Sequence, residues 1–169
     1  MSFARMMIVS ALLMFHALQA HAQMPENCAL TAVSDSDRYV LKCAGNLVIE
    51  MDAATKLGIA NGRDGLAERV TLTGGTVLID VEPGGAAPQI RTPHAIAAVR
   101  GTVYAVDIQS SSTAVFVVRG AVNVRHLHGS DGSVELQAGQ GVDVTPGQSL
   151  EVKTWGEGRV RTLLSRFGQ

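Results

Sequence analysis

Short runs of alternating apolar and polar residues constrain the fold of this chain more than any other feature of its sequence. Val122 and Val124 lie on one side of such a run, and Asn123 and Arg125 lie on the other. This period of two is typical of half-buried antiparallel strands. Clusters of Gly, Pro, Ser or Asp separate most of the runs, and a short helical turn is expected at residues 51–59. We predict eight or more short strands, from the runs at residues 39–42, 46–51, 69–72, 76–81, 104–108, 113–119, 121–127, 134–137, 141–145 and 150–153.

The number and spacing of these runs favour an all-β, mainly antiparallel domain, either a sandwich or a jelly-roll-like roll. Gly75, Gly101 and Gly120 each precede an apolar run, and this weak repeat leaves a β-solenoid as the alternative. The offsets of 26 and 19 residues are too uneven for a strict solenoid. Val115–Val118 is continuously apolar and is predicted to form a central strand that is buried on both faces. The 169 residues suffice for one domain with a sizeable core.

The last residues of the chain follow a helical period. Val160, Leu163, Leu164 and Phe167 recur at i, i+3, i+4 and i+7, which predicts one short amphipathic helix from about Glu157 to Phe167. Two placements of this helix are open. It either covers an open end or edge of the β-structure, or it docks onto a partner with its arginines against an anionic surface.

The first 22 residues are predicted to be a secretory signal peptide. Arg5 precedes an apolar run from Met6 to Leu18, and Ala20-His21-Ala22 fits the small-x-small pattern of a cleavage site. An uncleaved anchor is the alternative, but the run is short for a membrane span. We expect an exported, soluble protein that is not integral to a membrane. The predicted organisation is a signal peptide at 1–22, a disulfide-bearing β extension at 23–65, a β domain at 66–153 and a C-terminal helix at 154–169.

The two cysteines are predicted to form a disulfide. Cys28 and Cys43 lie 15 residues apart in a chain that we expect to be exported, and disulfides persist in that environment. A thiol nucleophile or a metal-binding pair is the alternative. Neither a CxxC spacing nor a matching set of His and Asn accompanies these cysteines.

Composition argues against several classes of function. The chain has 14 basic and 15 acidic residues, so its net charge of −1 offers no basic surplus for binding nucleic acid. Aromatic residues make up 4% of the chain, too few for stacking platforms that bind bases or sugars. The sequence contains no Gly-x-Ser-x-Gly elbow and no phosphate-binding glycine loop that leads into a helix. We therefore expect neither catalysis nor a cofactor.

A more specific pattern begins at residue 90. Thr92-Pro93, a small apolar stretch and Arg100-Gly101-Thr102 precede an alternating strand, and Gly120-Ala121-Val122 and Leu136-Gln137-Ala138-Gly139-Gln140 follow. In this order the motifs resemble the FecR domain over about residues 70–146.

The resemblance implies a periplasmic, β-rich module. In the namesake of the family, such a domain belongs to a regulator that relays occupancy of an outer-membrane iron-siderophore receptor to a cytoplasmic sigma factor. This sequence shows no cytoplasmic anti-sigma segment ahead of its apolar run and no spanning helix. We therefore expect a stand-alone exported member of the family.

The FecR-like pattern supplies the candidate contacts for a ligand or partner: Thr92, Pro93, Arg100, Gly101, Thr102 and Asp107. Pro93 fixes its own φ, so a turn is expected there. Arg100 is expected either to clamp the turn or to bind an anion, and its guanidinium can reach a carboxylate such as Asp107 or Asp143. Asp80, Asp107 and Asp143 lie within apolar triplets and are expected to point outward, with a calcium or partner contact as the alternative.

His126 and His128 are the candidate metal ligands. Histidines at i and i+2 share one strand face and can chelate iron, zinc or manganese. Together with Gly120 and Glu135 they resemble the first metal motif of cupins. Six residues separate His128 from Glu135, cupins usually have three or four, and no later histidine completes the set, which leaves His94 as a substitute. Histidines at a strand end beside a turn are the alternative.

Three functions follow from these observations, in this order. The first is an exported, non-catalytic binding or sensing module that contacts another envelope protein. The second is a binder of small molecules or envelope polysaccharide that uses Arg100 and the strand aspartates. The third is a cupin-like metal site at His126 and His128.

Overall fold

The computed structural model describes residues 27–129 and 132–169 of the chain. Within them, thirteen strands and one short α-helix confirm the predicted all-β, mainly antiparallel fold with a C-terminal helix. The strands are β1 (Cys28–Ala32), β2 (Arg38–Cys43), β3 (Leu47–Asp52), β4 (Lys56–Asn61), β5 (Ala67–Val81), β6 (Gln89–Arg91), β7 (Ala95–Val99), β8 (Val103–Ile108), β9 (Thr113–Arg119), β10 (Ala121–His126), β11 (Ser133–Gln137), β12 (Gln140–Val144) and β13 (Lys153–Thr154). Helix α1 (Glu157–Leu164) continues into a 3-10 turn over Ser165–Phe167.

The strands form two layers that share the long strand β5. The front sheet has the order β1-β2-β3-β5-β8-β9-β12-β13, and the back sheet has the order β4-β5-β6-β7-β10-β11. Strand β5 passes from the back sheet to the front sheet at Gly74-Gly75, where Gly75 has a φ of 87° that favours glycine. Every strand pair is antiparallel except β5–β6.

The main core lies between the two sheets. Alternate residues of the strands enter it: Val122 and Val124 are fully buried, whereas Asn123 and Arg125 are exposed, as the alternation predicts. Strand β9 is central, between β8 and β12, and Val115–Val117 is buried on both faces. The outer face of β9 is buried because a further layer of the structure covers it.

That further layer is the C-terminal helix. Leu163 and Phe167, from the predicted apolar stripe, pack on Leu78, Ala105 and Phe116 at the outer face of the front sheet. The helix therefore covers a sheet face, and neither an end nor an edge of the β-structure. No helix among the described residues has the length and apolar character to span a membrane.

Two local expectations differ from the structure, and strand β7 is not among the predicted strands. Residues 51–59 form no helical turn, because Met51 and Asp52 are the last residues of β3 and the residues from Lys56 onward pair with β5 as strand β4. Residues 95–99 form a strand of the back sheet, β7. Of the run at 150–153, only Lys153 belongs to a strand.

The domain divisions at residues 65 and 153 stay predictions. Strands β3 and β4, which precede residue 65, both pair with β5, so the same two sheets extend across that boundary. The predicted signal peptide lies outside the described residues.

Candidate functional site

The Thr92-Pro93 turn joins β6 to β7 and is closed by the threonine side chain. The buried Thr92 hydroxyl accepts the N–H of Ala95 at 2.9 Å and lies 3.0 Å from the hydroxyl of Thr113 in the front sheet. The Thr92 N–H donates to the Ala95 carbonyl at 2.9 Å. Thr92 thus ties the two sheets together at one end, while Pro93 is exposed at the tip of the turn.

The Arg100-Gly101-Thr102 segment joins β7 to β8. Gly101 has a φ of 64°, and a Cβ there would lie 3.2 Å from the Cα of Pro83. Thr102 is fully buried beneath Gly120, and its carbonyl accepts the Val81 N–H at 2.9 Å. Gly101 and Thr102 therefore serve the packing of this connection. The close approach of Pro83 to Gly101 and of Gly120 to Thr102 explains why these residue types occur at these positions.

Arg100 differs from its two neighbours, because its side chain is exposed. It forms no hydrogen bond or ion pair with any residue of 27–129 or 132–169. The expected contacts with Asp107 and Asp143 are not made, since both carboxylates are paired with other arginines. Arg100 is left available at the end of the back sheet, directly after β7.

The three strand aspartates lie on the outer face of the front sheet, as their alternation predicts. Asp107 also accepts a hydrogen bond from the Thr76 hydroxyl at 2.8 Å. Arg159 binds both oxygens of Asp143. Each aspartate has an arginine partner: Asp80 pairs with Arg119, Asp107 with Arg166 and Asp143 with Arg159. Arg159 and Arg166 come from the C-terminal helical segment, so Asp107 and Asp143 bind the chain's own helical segment.

Trp155 is the residue at this face that the sequence reasoning missed. Its ring stacks on Phe116 with centroids 5.0 Å apart, and the guanidinium carbon of Arg159 lies 3.4 Å above its centroid. A Cβ on Gly141 would overlap the indole, so glycine is needed where the ring crosses β12. A tryptophan just before a helix, with an arginine four residues later, was the available signal. The front sheet is thereby closed on its outer side.

The two candidate metal ligands do not lie on one strand, because β10 ends at His126. His126 is 5% exposed and points into the core, whereas His128 is exposed beyond the end of β10. Glu135 pairs with Asn123, whose side chain is on the opposite face of β10 from His126. His94 instead contacts the Thr113 hydroxyl through Nδ1 at 3.0 Å. Across the described residues, no three His, Cys, Asp or Glu side chains come together as metal ligands do.

The outer face of the back sheet carries a different set of side chains. Arg69, Arg91 and Arg125 are exposed there, because their strand neighbours Val70, Ile90 and Val124 are buried in the core. We call these three residues, with Arg100 at the end of the sheet, the arginine face. None of the four forms an ion pair with a residue that the structure describes.

Strand register sets the spacing of the arginine face. Arg91 and Arg125 both lie opposite Ile96, on either side of β7, so their backbones are about 10 Å apart across two strand spacings. Arg69 lies opposite Gln89 in the neighbouring row, and the exposed Ala98 occupies the middle of that row. Between Arg91 and Arg125 lies Ile96, which is only 6% exposed, whereas all four arginines of this face are exposed.

Few acids offset the charge of this face. Glu135 lies opposite Asn123 at the far strand, and its carboxylate accepts a hydrogen bond from Gln137 at 2.6 Å. Glu68 lies beside Arg69 at a bulge of β5. Among the described elements, the C-terminal helix packs on the front sheet, and none packs over this face. The arginine face is therefore an open, basic surface opposite a closed, charge-paired one.

The family model described as FecR protein matches residues 31–123, which is more than half of the chain. The chain belongs to the FecR family. The match begins in β1 and ends in β10, so it starts earlier than the predicted resemblance and excludes the Leu136–Gln140 motif. Arg69, Arg91 and Arg100 lie within the FecR match, and Arg125 lies two residues beyond it.

Solved structures share the fold of this FecR-family chain. Two crystal structures of a candidate anti-sigma factor from Parabacteroides distasonis, at 1.65 and 2.50 Å resolution, resemble it with TM-scores of 0.58 and 0.50. Sequence identity is 16% and 17%, and the matches cover 80% and 81% of this chain. The chain spans only 64% and 60% of those structures, respectively. Among curated proteins, none matches the sequence.

Proposed function

We propose that this FecR-family chain is an exported, non-catalytic module of envelope signalling that binds another protein through its arginine face. Membership of the FecR family supports a regulatory role, and the description of the structural neighbours as candidate anti-sigma factors agrees with it. The observation that carries the binding surface is the set of exposed arginines without an ion pair among the described residues, on a sheet face that no described element covers.

The chemistry of the face favours an acidic protein surface as the partner. Each guanidinium offers a planar fork of donors that matches a carboxylate. A single exposed ion pair contributes only about 0.2–1 kcal/mol, so binding requires that several arginines act together. Arg91 and Arg125 are held on neighbouring strands of one rigid sheet, which fixes their spacing before the partner arrives.

The non-catalytic part of the proposal is supported by the structural contacts that the candidate site residues make. Thr92, Gly101 and Thr102 hold backbone connections. Asp107 and Asp143 bind arginines of the same chain. The side chains of Thr92, Asp107 and Asp143 are thus engaged in structural contacts.

The test is site-specific photocrosslinking of the full chain in the native envelope. A photoreactive side chain replaces Ala98, at the centre of the arginine face, and, as a control, Val152, which is 38% exposed elsewhere. We expect a discrete protein adduct from position 98 and none from 152. The adduct should disappear in the double variant Arg91→Glu/Arg125→Glu, whose thermal unfolding should stay unchanged because both side chains are exposed.

Two results would overturn the proposed surface: no adduct from position 98, or an adduct that survives the double charge reversal. Export is tested separately, by cell fractionation and by the mass of the N-terminus. An intact N-terminus in the cytoplasmic fraction would contradict export and leave the binding surface to be judged on its own.

Binding of an anionic polysaccharide or small molecule is the second candidate, and it retains only part of its predicted site. Arg100 is exposed and unpaired among the described residues, but the aspartates expected beside it are bound by Arg159 and Arg166. An adduct of heterogeneous, protease-resistant mass from position 98, which Arg100→Ala weakens, would favour this candidate over a protein partner.

A further inference from the structure

Strand β1 forms one edge of the front sheet, and this edge lacks the usual protection against pairing. Edge strands of natural sheets are commonly guarded by charged residues, proline or very short length. The other described edges follow that rule, since β4 contains Lys56, β11 contains Glu135 and β13 has only two residues. The sequence of β1, Cys-Ala-Leu-Thr-Ala, has neither charge nor proline over five residues.

The hydrogen-bond phase shows which backbone groups of β1 are unpaired at the edge. In an antiparallel pair, residues that bond to the neighbouring strand alternate with residues whose N–H and C=O point away. The Val33 N–H donates to the Arg38 carbonyl at 2.9 Å, and the Ala44 N–H donates to the Asn27 carbonyl at 2.8 Å. With the register of β1 and β2, these bonds place the outward-pointing groups on three residues: Cys28, Leu30 and Ala32.

The disulfide gives an independent check of that phase. Cys28 and Cys43 are directly opposite in the register, with Cα atoms 4.0 Å apart. So short a distance is typical of a pair that exchanges no hydrogen bonds, for which about 4.5 Å is usual. The same bond covalently ties one end of β1 to the sheet, so the edge is held in place.

Apolar surface accompanies the free backbone groups. Leu30 is opposite Leu41 and Ala32 is opposite Tyr39, so these side chains share the face of the sheet that lines the core. The core ends before the edge, however, which leaves Leu30 48% and Tyr39 37% exposed. They are two of the three large hydrophobic side chains that are exposed in the described structure.

We infer that β1 pairs with β1 of a second copy of this chain, antiparallel and with the twofold axis at Leu30. The edge is complementary to itself in this register: Cys28 lies opposite Ala32 of the partner subunit, and Leu30 lies opposite its own equivalent. The three facing pairs exchange six hydrogen bonds, because every outward-pointing N–H finds a carbonyl. The two Leu30 side chains meet across the axis, and no charge in either strand opposes the contact.

The dimer is concentration-dependent and leaves the arginine face free. A five-residue edge buries much less than the 1,200 Å² or more of total surface that is typical of stable interfaces. The arginine face is the outer side of the back sheet, whereas β1 belongs to the front sheet. Self-association therefore does not block the binding surface proposed above, and either proposal can fail without the other.

The experiment compares the oxidised chain, residues 23–169, at micromolar and millimolar concentrations. Sedimentation should show a monomer shifting to a dimer as concentration rises. Leu30→Lys places a charge on the edge and should raise the dimer dissociation constant at least about tenfold. The matched control Val152→Lys changes the third exposed hydrophobic residue and should leave it unchanged.

Amide exchange of the wild-type chain tests the register itself. The amides of Cys28, Leu30 and Ala32 should gain protection at high concentration, whereas those of Ala29 and Thr31, which already bond to β2, should be protected throughout. A chain that stays monomeric at millimolar concentration overturns the inference. So does a dimer that a folded Leu30→Lys variant retains, or one that forms without protection of these three amides. If Leu30→Lys fails to fold, the wild-type exchange pattern decides.

Discussion

Trp155 is expected to hold the C-terminal helix on the front sheet, and Trp155→Ala should release the helix without unfolding the sandwich. The side chain is 9% exposed, stacks on Phe116 and lies beneath Arg159. Truncation of a buried aromatic residue to alanine costs about 3–5 kcal/mol. The contacts that remain are the apolar side chains of α1 and the 3-10 turn on the sheet, hydrogen bonds from Arg38 to the Phe167 carbonyl and from Arg166 to the Thr76 hydroxyl, and ion pairs of which the exposed ones contribute at most about 1 kcal/mol each.

The helix cannot compensate for this loss by itself. Helix α1 has eight residues, and isolated helices shorter than about 12–15 residues are marginal in water. Its helical state depends on packing against Leu78, Ala105 and Phe116. We therefore expect residues 155–169 to detach as a unit, while the core between the two sheets, which contains no residue of this segment, stays intact.

Hydrogen exchange read by mass spectrometry checks this prediction. In Trp155→Ala, peptides from residues 157–167 should lose their protection, and peptides from β5 and β8 should keep it. Trp155→Phe is the control, since it retains an aromatic ring over Phe116 and should lose much less. Protection of the helix at the wild-type level would refute the role given to Trp155. Simultaneous loss of protection in β5 and β8 would refute the independence of the two layers.

Two further predictions concern the core and the edge of the front sheet. Tyr104 is fully buried, and its hydroxyl has no hydrogen-bond partner among the described residues, so Tyr104→Phe should leave stability unchanged or raise it by about 1 kcal/mol in urea unfolding at pH 8. Burial raises the pKa of Tyr104 above its ordinary value. The unfolded state therefore loses this proton first, and wild-type stability should fall above about pH 10. Tyr104→Phe should lose less stability between pH 10 and 11, and an equal loss would contradict the buried, neutral phenol. Cys28→Ser/Cys43→Ser opens a loop of 15 residues and should lower the unfolding free energy by about 3 kcal/mol; a variant whose urea midpoint matches the oxidised wild type would contradict that role.

Alternation in the sequence was sufficient to predict which side of a strand a residue occupies. It placed Val122 and Val124 in the core and Asp107 and Asp143 outside. It could not predict strand β6, because three residues are too few to show a period. It also could not predict that Ala95–Val99 is a strand, since both faces of that run are apolar or small.

The sequence could not predict which side chains pair with the outward-facing residues, because these partners come from other parts of the chain. Arg159 is 16 residues from Asp143, and their pairing follows only once the helix is known to cross the front sheet. Arg91 and Arg125 face the same way as a consequence of the registers of β6, β7 and β10. The alternation of apolar and polar residues predicts on which side of its own strand each arginine lies. It does not predict that the three strands are neighbours in one sheet.

The same geometry explains why composition concealed a basic surface. The whole chain has 14 basic and 15 acidic residues, and that balance argues correctly against a protein that is basic throughout. The balance is not uniform in space, however. Asp107 and Asp143 neutralise two of the three arginines of the C-terminal segment, so acidic charge is used where the helix closes that face. Arg91 and Arg125 are left on the back sheet without such partners among the described residues. A near-neutral chain thus presents one closed face and one basic face, and the basic face is where an acidic partner has the most to gain electrostatically.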